Sequence, residues 1–262
     1  MTETTAPSPV GATGIDTGNV ATAFDRAAAR YDLMVGLNPG YRRHLRSAAA
    51  ALLDRLGPAP TDRPLRLLDL GCGSGVSTRA LLREARRRAL PVRVIGVDAS
   101  PGMLAIARSK PWPDGVRFLT ARAEQLAGSG MTEPVDGVLA AYLFRNVTDA
   151  DATLAQVREL LRPGGALVAL EYSVAQSRSA RWTWTAVCHA VVNPLARLVS
   201  GNPNLYRYLW RSVLDFDPVT VFAGRLVRAG YTAVEHRTVD GWQRGILHLV
   251  RGSVPEPGRG PA

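Results

Sequence analysis

At 262 residues, 46% of them apolar and 6% aromatic, the chain is long enough to bury a full core and too apolar for wholesale disorder. Its 32 Lys and Arg against 22 Asp and Glu leave a net charge of +10, and every one of those cations except Lys110 is an arginine. The surplus is scattered and no stripe interleaves it with aromatics, so nucleic acid is not expected as a partner. Two cysteines cannot build a disulfide framework, and no eighteen-residue window is apolar throughout, which together point to the cytoplasm.

Residues 1–18 are rich in Thr, Pro, Gly and Ala, without the basic and apolar regions of a signal peptide, and read as a flexible tail. Val20, Ala23, Phe24, Ala27 and Tyr31 recur at helical spacing and predict a helix over 20–31, broken by Asn38-Pro39-Gly40. Leu45, Ala48, Ala49, Leu52 and Leu56 predict a second helix, closed by Gly57-Pro58. The rhythm then changes to short apolar strands separated by helices. Strands are expected at 65–70, 92–97, 116–119, 135–141 and 166–171. A helix follows the first, Ser100 with Pro101 opens another, and a third spans 151–161 before Pro163-Gly164-Gly165. That alternation means parallel βαβ units, so the expected fold is α/β, a doubly wound and mostly parallel seven-stranded Rossmann-like sheet. From 174 to 215 the pattern turns irregular and aromatic. A helix over 219–229 and two strand-like runs, 232–239 and 246–250, end the pattern, with Asp240-Gly241 as a hairpin signal. We expect one domain over 19–252, with cover elements at 19–57 and 174–215 and a second loose tail from 253.

The chemistry starts at Asp69-Leu70-Gly71-Cys72-Gly73-Ser74-Gly75, where a strand turns into a helix. Glycines there let a ligand approach the backbone closely. A dinucleotide turn would place its third small residue at Val76, so the spacing instead resembles the S-adenosylmethionine loop of class I methyltransferases. Asp98, at the end of the second strand, is suited to accept both hydroxyls of a ribose; the plainer reading is a turn acid before a helix cap.

Several further segments resemble the ubiquinone/menaquinone biosynthesis C-methyltransferase family. They are Phe24-Asp25, Arg30-Tyr31-Asp32-Leu33-Met34, the run Leu143 to Asp149, and Leu161-Arg162-Pro163-Gly164-Gly165. Leu170-Glu171-Tyr172-Ser173, Tyr206 to Leu209, and Gly245 to Gly252 complete the set, which spans roughly residues 20–252. The resemblance implies a bound S-adenosylmethionine, held by Asp69, Gly71, Gly73, Gly75, Thr78, Asp98, Arg122, Ala123 and Ala141. It also implies a catalytic region at Tyr31, Arg145 and Asn146. Arg122 stands where the family usually carries Asp or Asn for the adenine amino group, and Val35 and Leu45 depart from the pattern around the acceptor mouth.

Methylating an aromatic carbon needs an electron-rich ring, in-line alignment and stabilisation of a developing phenolate. Arg145 suits the last task as an electrostatic donor; an ion pair with Asp149 is its plainer role. Asn146 could orient water or simply hold a turn, and Tyr31 on an apolar stripe could equally be core. Of the four histidines, His189 is the best placed to take a proton, being in the cover segment. No cluster has metal-ligand spacing, so no metal is expected. The implied acceptor is a small hydrophobic aromatic molecule: a reduced prenylated quinone, with demethylmenaquinol first. A phenolic, indolic or terpenoid metabolite methylated at carbon or oxygen is the alternative, and a non-catalytic S-adenosylmethionine-binding scaffold a second. Arg42, Arg43, Arg46 and the arginines of 174–215 suggest peripheral contact with an anionic membrane. A monomer or homodimer is expected.

Overall fold

The structure, a computed structural model, describes residues 20–25, 36, 38–58, 60–128, 130–131, 133–195 and 203–256. The expected tail 1–18 and the candidate Tyr31 lie outside the described residues.

Seven strands make one sheet: β1 (Leu65–Leu70), β2 (Val92–Asp98), β3 (Val116–Thr120), β4 (Val135–Ala141), β5 (Leu161–Tyr172), β6 (Thr232–Thr238) and β7 (Leu247–Ser253). Their order is β3-β2-β1-β4-β5-β7-β6, with β1 to β5 parallel and β7 antiparallel to both of its neighbours. The central strands are near-continuous apolar runs because both faces of the sheet are covered. Alternate residues of β5 serve opposite layers: Ala166, Val168 and Leu170 face one core, Leu167 and Ala169 the other.

The first layer is α1 (Tyr41–Leu56), α2 (Val76–Arg87) and α5 (Arg178–Val187), through Leu45, Leu52, Leu81 and Trp184. Gly137 lets α1 lie close on β4, since a Cβ there would come within 2.9 Å of Leu56. The second layer is α4 (Ala150–Leu160) and α7 (Val219–Arg228), through Leu154, Val157, Phe222 and Leu226. Between β2 and β3 lies α3 (Pro101–Arg108), capped as expected, with Ser100 Oγ accepting from Met103 N at 3.1 Å.

Three expectations need correction. Pro163-Gly164-Gly165 does not end α4: the helix stops at Leu160 and β5 begins at Leu161, which pairs with Val135. The ladder then resumes at Gly137 and Ala166, so the Pro-Gly-Gly segment is a bulge inside the strand, with Gly164 at φ +77°. β7 runs on to Ser253, paired to Ala166 and Thr232, and residues 253–256 are not a loose tail. From Arg178 on, the 174–215 segment is helical where described: α5, a π-helical turn at Cys188–Val192, and α6 (Pro203–Asp215). Its buried Ala180, Trp184 and Cys188 are four residues apart, but the surrounding Trp, Tyr and Val blur that period. At the end of α2 the basic run Arg83 to Arg88 is tied together by Glu84. Burial would raise the Glu84 carboxyl, yet hydrogen bonds from Arg88, Arg87 and Arg46 outweigh it and hold the group at about 2.

Candidate active site

The sheet reverses its order between β1 and β4, and the site gathers at the carboxyl ends of the strands on either side. After Leu70 the chain turns through Gly71, Gly73 and Gly75 at φ +73°, +52° and +85°, a conformation that side chains strongly disfavour. A Cβ at Gly75 would lie 2.8 Å from the Trp112 ring. Gly71 N and Cys72 N both donate to Val97 O, at 2.8 and 3.0 Å, and pin the turn to the end of β2. There Asp98 Oδ2 accepts from Gly73 N at 2.8 Å and Oδ1 from Ser100 N at 2.9 Å. A carboxylate offers about four lone-pair sites, so these two bonds leave acceptors for ligand hydroxyls. Burial raises the Asp98 carboxyl above its ordinary value, against the pull of those backbone donors.

A cavity opens beside this turn. Gly71, Gly73, Asp98, Arg122, Ala123, Ala141, Arg145 and Asn146 line it, which brings eight of the expected site residues together. Gly75 faces the adjoining cavity, with Arg42, Arg79, Arg83 and Lys110. Asp69 and Thr78 sit beneath the turn, both fully buried. Asp69 Oδ2 accepts from Ser77 Oγ at 2.8 Å and Thr78 Oγ1 at 2.5 Å, while Oδ1 is buried with no hydrogen-bond partner. Their role visible here is to shape the turn and the start of α2. Val20, Ala21 and Phe24 close one side of the cavity, and Asp25 anchors that segment: its Oδ1 accepts from Ser100 Oγ and from Gly102 N, the latter at 2.8 Å. Arg122 Nε lies 3.6 Å from Glu124 Oε2, so an ion pair occupies the wall where a lone carboxylate or amide was the family pattern.

The buried Asp69 gives a pH signature. Burial pushes its carboxyl up to about 6 from 3.8, the Ser77 and Thr78 hydroxyls only partly offsetting this. A raised carboxyl means the native state binds the proton first, so stability should fall as pH rises from about 4 to 6 and then level off. That shift corresponds to about 3 kcal/mol. Chemical denaturation of wild type and Asp69→Asn across this range checks it: the variant is expected to lose that descending limb, and parallel curves would refute the assignment.

A second, apolar cavity lies behind the first, and Tyr41, Tyr142 and Arg145 line both. Its walls include Tyr172, Trp184, Cys188, Leu209 and Trp210. Tyr41, Tyr142, Tyr172 and Trp184 form a continuous aromatic stack, with successive centroids 5.4, 5.2 and 4.9 Å apart. The volume, about 180 Å³, suits a flat ring, given that an engineered apolar cavity of about 150 Å³ takes benzene. Arg145 crosses the boundary, its guanidinium 5.9 and 5.7 Å from the Tyr142 and Tyr172 centroids. Its partner is Glu171 rather than Asp149, and both side chains are nearly out of water, at 6% and 2% exposure. Burial raises the Glu171 carboxyl and Arg145 opposes the rise. Asp149 instead caps α4, accepting from Ala152 N at 2.9 Å.

Asn146 Nδ2 donates to Tyr142 O at 2.9 Å and Oδ1 accepts from Tyr208 at 3.3 Å, so its amide fastens the turn after β4 to α6. His189 is exposed, edge-on to Trp210 with centroids 4.8 Å apart, and is not on either cavity wall. The residues that sequence reasoning missed are Glu171, Tyr142, Tyr172 and Asp25. A lone acid closing the apolar run Ala166 to Leu170 was the available signal for Glu171.

Among the described residues no His, Cys, Asp and Glu group could hold a metal. The glycine cradle and the open acceptors of Asp98 fit a ribose-bearing ligand. This fold and site define a class I S-adenosylmethionine-dependent methyltransferase. Solved methyltransferases share the architecture: the N-methyltransferase NodS of Bradyrhizobium japonicum, in complex with S-adenosyl-L-homocysteine, is 18% identical with a TM-score of 0.63, covering 91% of this chain and 100% of that one. The family model "ubiE/COQ5 methyltransferase family" matches residues 12–249, and the chain belongs to that family. It is 31% identical to the demethylmenaquinone methyltransferase of Mycobacterium marinum, over 92% of this chain and 96% of the relative. It is also 33% identical to the ubiquinone/menaquinone biosynthesis C-methyltransferase UbiE of Methylobacterium nodulans, over 86% and 87% respectively.

Proposed function

We propose that the chain methylates a ring carbon of a reduced prenylated quinone, with demethylmenaquinol as the acceptor. The observation that carries this reading is the aromatic cavity that meets the cofactor cavity at Arg145. The names of the relatives support the same acceptor. S-adenosylmethionine, when bound, supplies a methyl group on a sulfonium, and Gly71, Gly73, Asp98, Ala123 and Ala141 would hold it. The stacked tyrosines form one wall of the cavity and limit how a flat ring can tilt against it, which is the alignment task. Arg145, fixed by Glu171 and kept from water, stabilises charge developing on the acceptor oxygen. A guanidinium does not surrender its proton, so Arg145 acts by field and hydrogen bonding. Asn146 and the Tyr208 hydroxyl set the turn that presents it.

The apolar cavity continues to a rim where Val191 and Trp242 are 55% and 42% exposed, and Trp182 on α5 is 76% exposed near Arg178 and Arg181. Exposed tryptophans beside arginines suit the interface of an anionic bilayer, where a prenyl tail resides. No helix among the described residues is long and apolar enough to cross a membrane. We therefore read the protein as cytoplasmic and membrane-peripheral, with no nucleic-acid partner. That all seven strands join one sheet supports a single catalytic domain.

One assay tests acceptor and membrane together. Demethylmenaquinol in vesicles containing anionic lipid is expected to be methylated, and faster than in neutral vesicles. A folded, cofactor-binding protein that incorporates no methyl overturns the quinol reading. Turnover confined to tail-free phenols or indoles transfers the activity to a secondary metabolite, and equal rates in both vesicles remove the membrane contact.

A further inference from the structure

Tyr142 is the first residue after β4, and its backbone is left-handed at φ +60°, a conformation that a bulky side chain rarely adopts. Two bonds hold it there: Tyr142 N donates to Leu170 O at 2.7 Å, and Asn146 Nδ2 donates to Tyr142 O at 2.9 Å. The ring is fixed between Tyr41 and Tyr172. The protein thus spends backbone strain to place one phenol at the junction of the two cavities, whose walls it shares.

The hydroxyls of that stack are treated differently. Tyr172 Oη accepts from Asn38 Nδ2 at 3.2 Å and from Gln243 Nε2 at 3.0 Å. The Tyr142 hydroxyl is shielded from solvent and has no hydrogen-bond partner among the described residues. A shielded donor left unmatched is destabilising, and a phenylalanine would keep the stack without that penalty. A ligand oxygen at the junction would match it.

We infer that the Tyr142 hydroxyl is a catalytic hydrogen-bond donor to the acceptor oxygen adjacent to the carbon that is methylated. The inference rests on the phenolic acceptor proposed above. As the carbon–carbon bond forms and the carbon–sulfur bond breaks, the electron pair of that bond remains on sulfur. The pair forming the new bond comes from the ring, reinforced by the oxygen. The acceptor's hydroxyl proton leaves to water first; after transfer the ring proton is also lost to water and the oxygen regains one, so one proton is released in all. Tyr142 keeps its own proton throughout and, with Arg145, steadies the oxygen while its charge develops. Burial raises the Tyr142 phenol well above its ordinary value, so it is a donor across the working pH range.

The test is Tyr142→Phe, read on whichever phenolic acceptor wild type methylates, so that loss of the quinol reading and loss of this one are separate results. The variant is expected to turn over on the order of 10²-fold more slowly. Its S-adenosylmethionine affinity should stay within about twofold of wild type, and its Tm should be equal or higher, because an unmatched donor has gone. Wild-type turnover by the variant overturns the inference. So does weakened cofactor binding with kcat unchanged, which would assign the hydroxyl to the cofactor. A second measurement needs no variant: an unreactive acceptor analogue lacking the adjacent oxygen should bind wild type about tenfold more weakly than its parent, and equal binding also overturns the inference.

Discussion

Arg145→Ala is expected to lower kcat by 10²- to 10³-fold, the range for removing one preorganised donor from a developing oxyanion, while leaving S-adenosylmethionine affinity nearly intact. The structure adds a consequence that the side chain's position in the sequence did not suggest. Arg145 and Glu171 are a buried pair, so the variant strands a carboxylate among aromatic rings and should lose about 3–5 kcal/mol of stability. The stranded Glu171 would take up a proton, since burial already raises it. Stability and catalysis are therefore separable. Arg145→Ala combined with Glu171→Gln should regain much of the Tm and none of the turnover. Arg145→Lys retains the charge without the planar fork and should fall between. Steady-state kinetics, calorimetric cofactor titration and thermal melts decide the matter. If cofactor affinity falls in step with kcat, Arg145 is a structural residue and its catalytic role is refuted.

Asp98→Ala should weaken S-adenosylmethionine binding by about 1.5–3 kcal/mol, the range for hydrogen bonds to a charged group. Two losses combine in it. The ribose hydroxyls lose their acceptor, and Gly73 N and Ser100 N lose theirs, so the glycine turn and the start of α3 both loosen. Asp98→Asn keeps the shape and one acceptor oxygen and should cost less. The sign of the assignment rests on calorimetry: unchanged affinity in Asp98→Ala would refute the ribose contact.

The framework of the sheet was legible because its strands are apolar runs punctuated by glycine, proline and cap residues. β1 and β4 fall where the sequence places them, and Ser100 caps α3 with Pro101 behind it. The glycine turn and Asp98 were legible for the same local reason: their spacing along the chain is itself the geometry. The site failed where partners lie far apart in sequence. Arg145 lies four residues before Asp149 yet pairs with Glu171, twenty-six residues on, because β4 and β5 are neighbours and the register decides who meets. Tyr142 attracted no notice because nothing in a sequence marks a positive φ at a tyrosine. His189 looked promising by its neighbourhood, but its orientation around a helix puts it outside the cavities.

β7 has a consequence for how the molecule is made. It is the last of the described strands in chain order, yet it sits between β5 and β6, pairing on both sides. Until it arrives, the outer edge of β5 is bare, and that edge carries Glu171 and Tyr172, which pair with His248 and Leu247. β6 pairs with β7 alone, so it cannot join the sheet before β7 does, and the two strands add to the β5 edge together. Tyr172 on that edge lines the apolar cavity, so this part of its wall is secured only when β7 pairs.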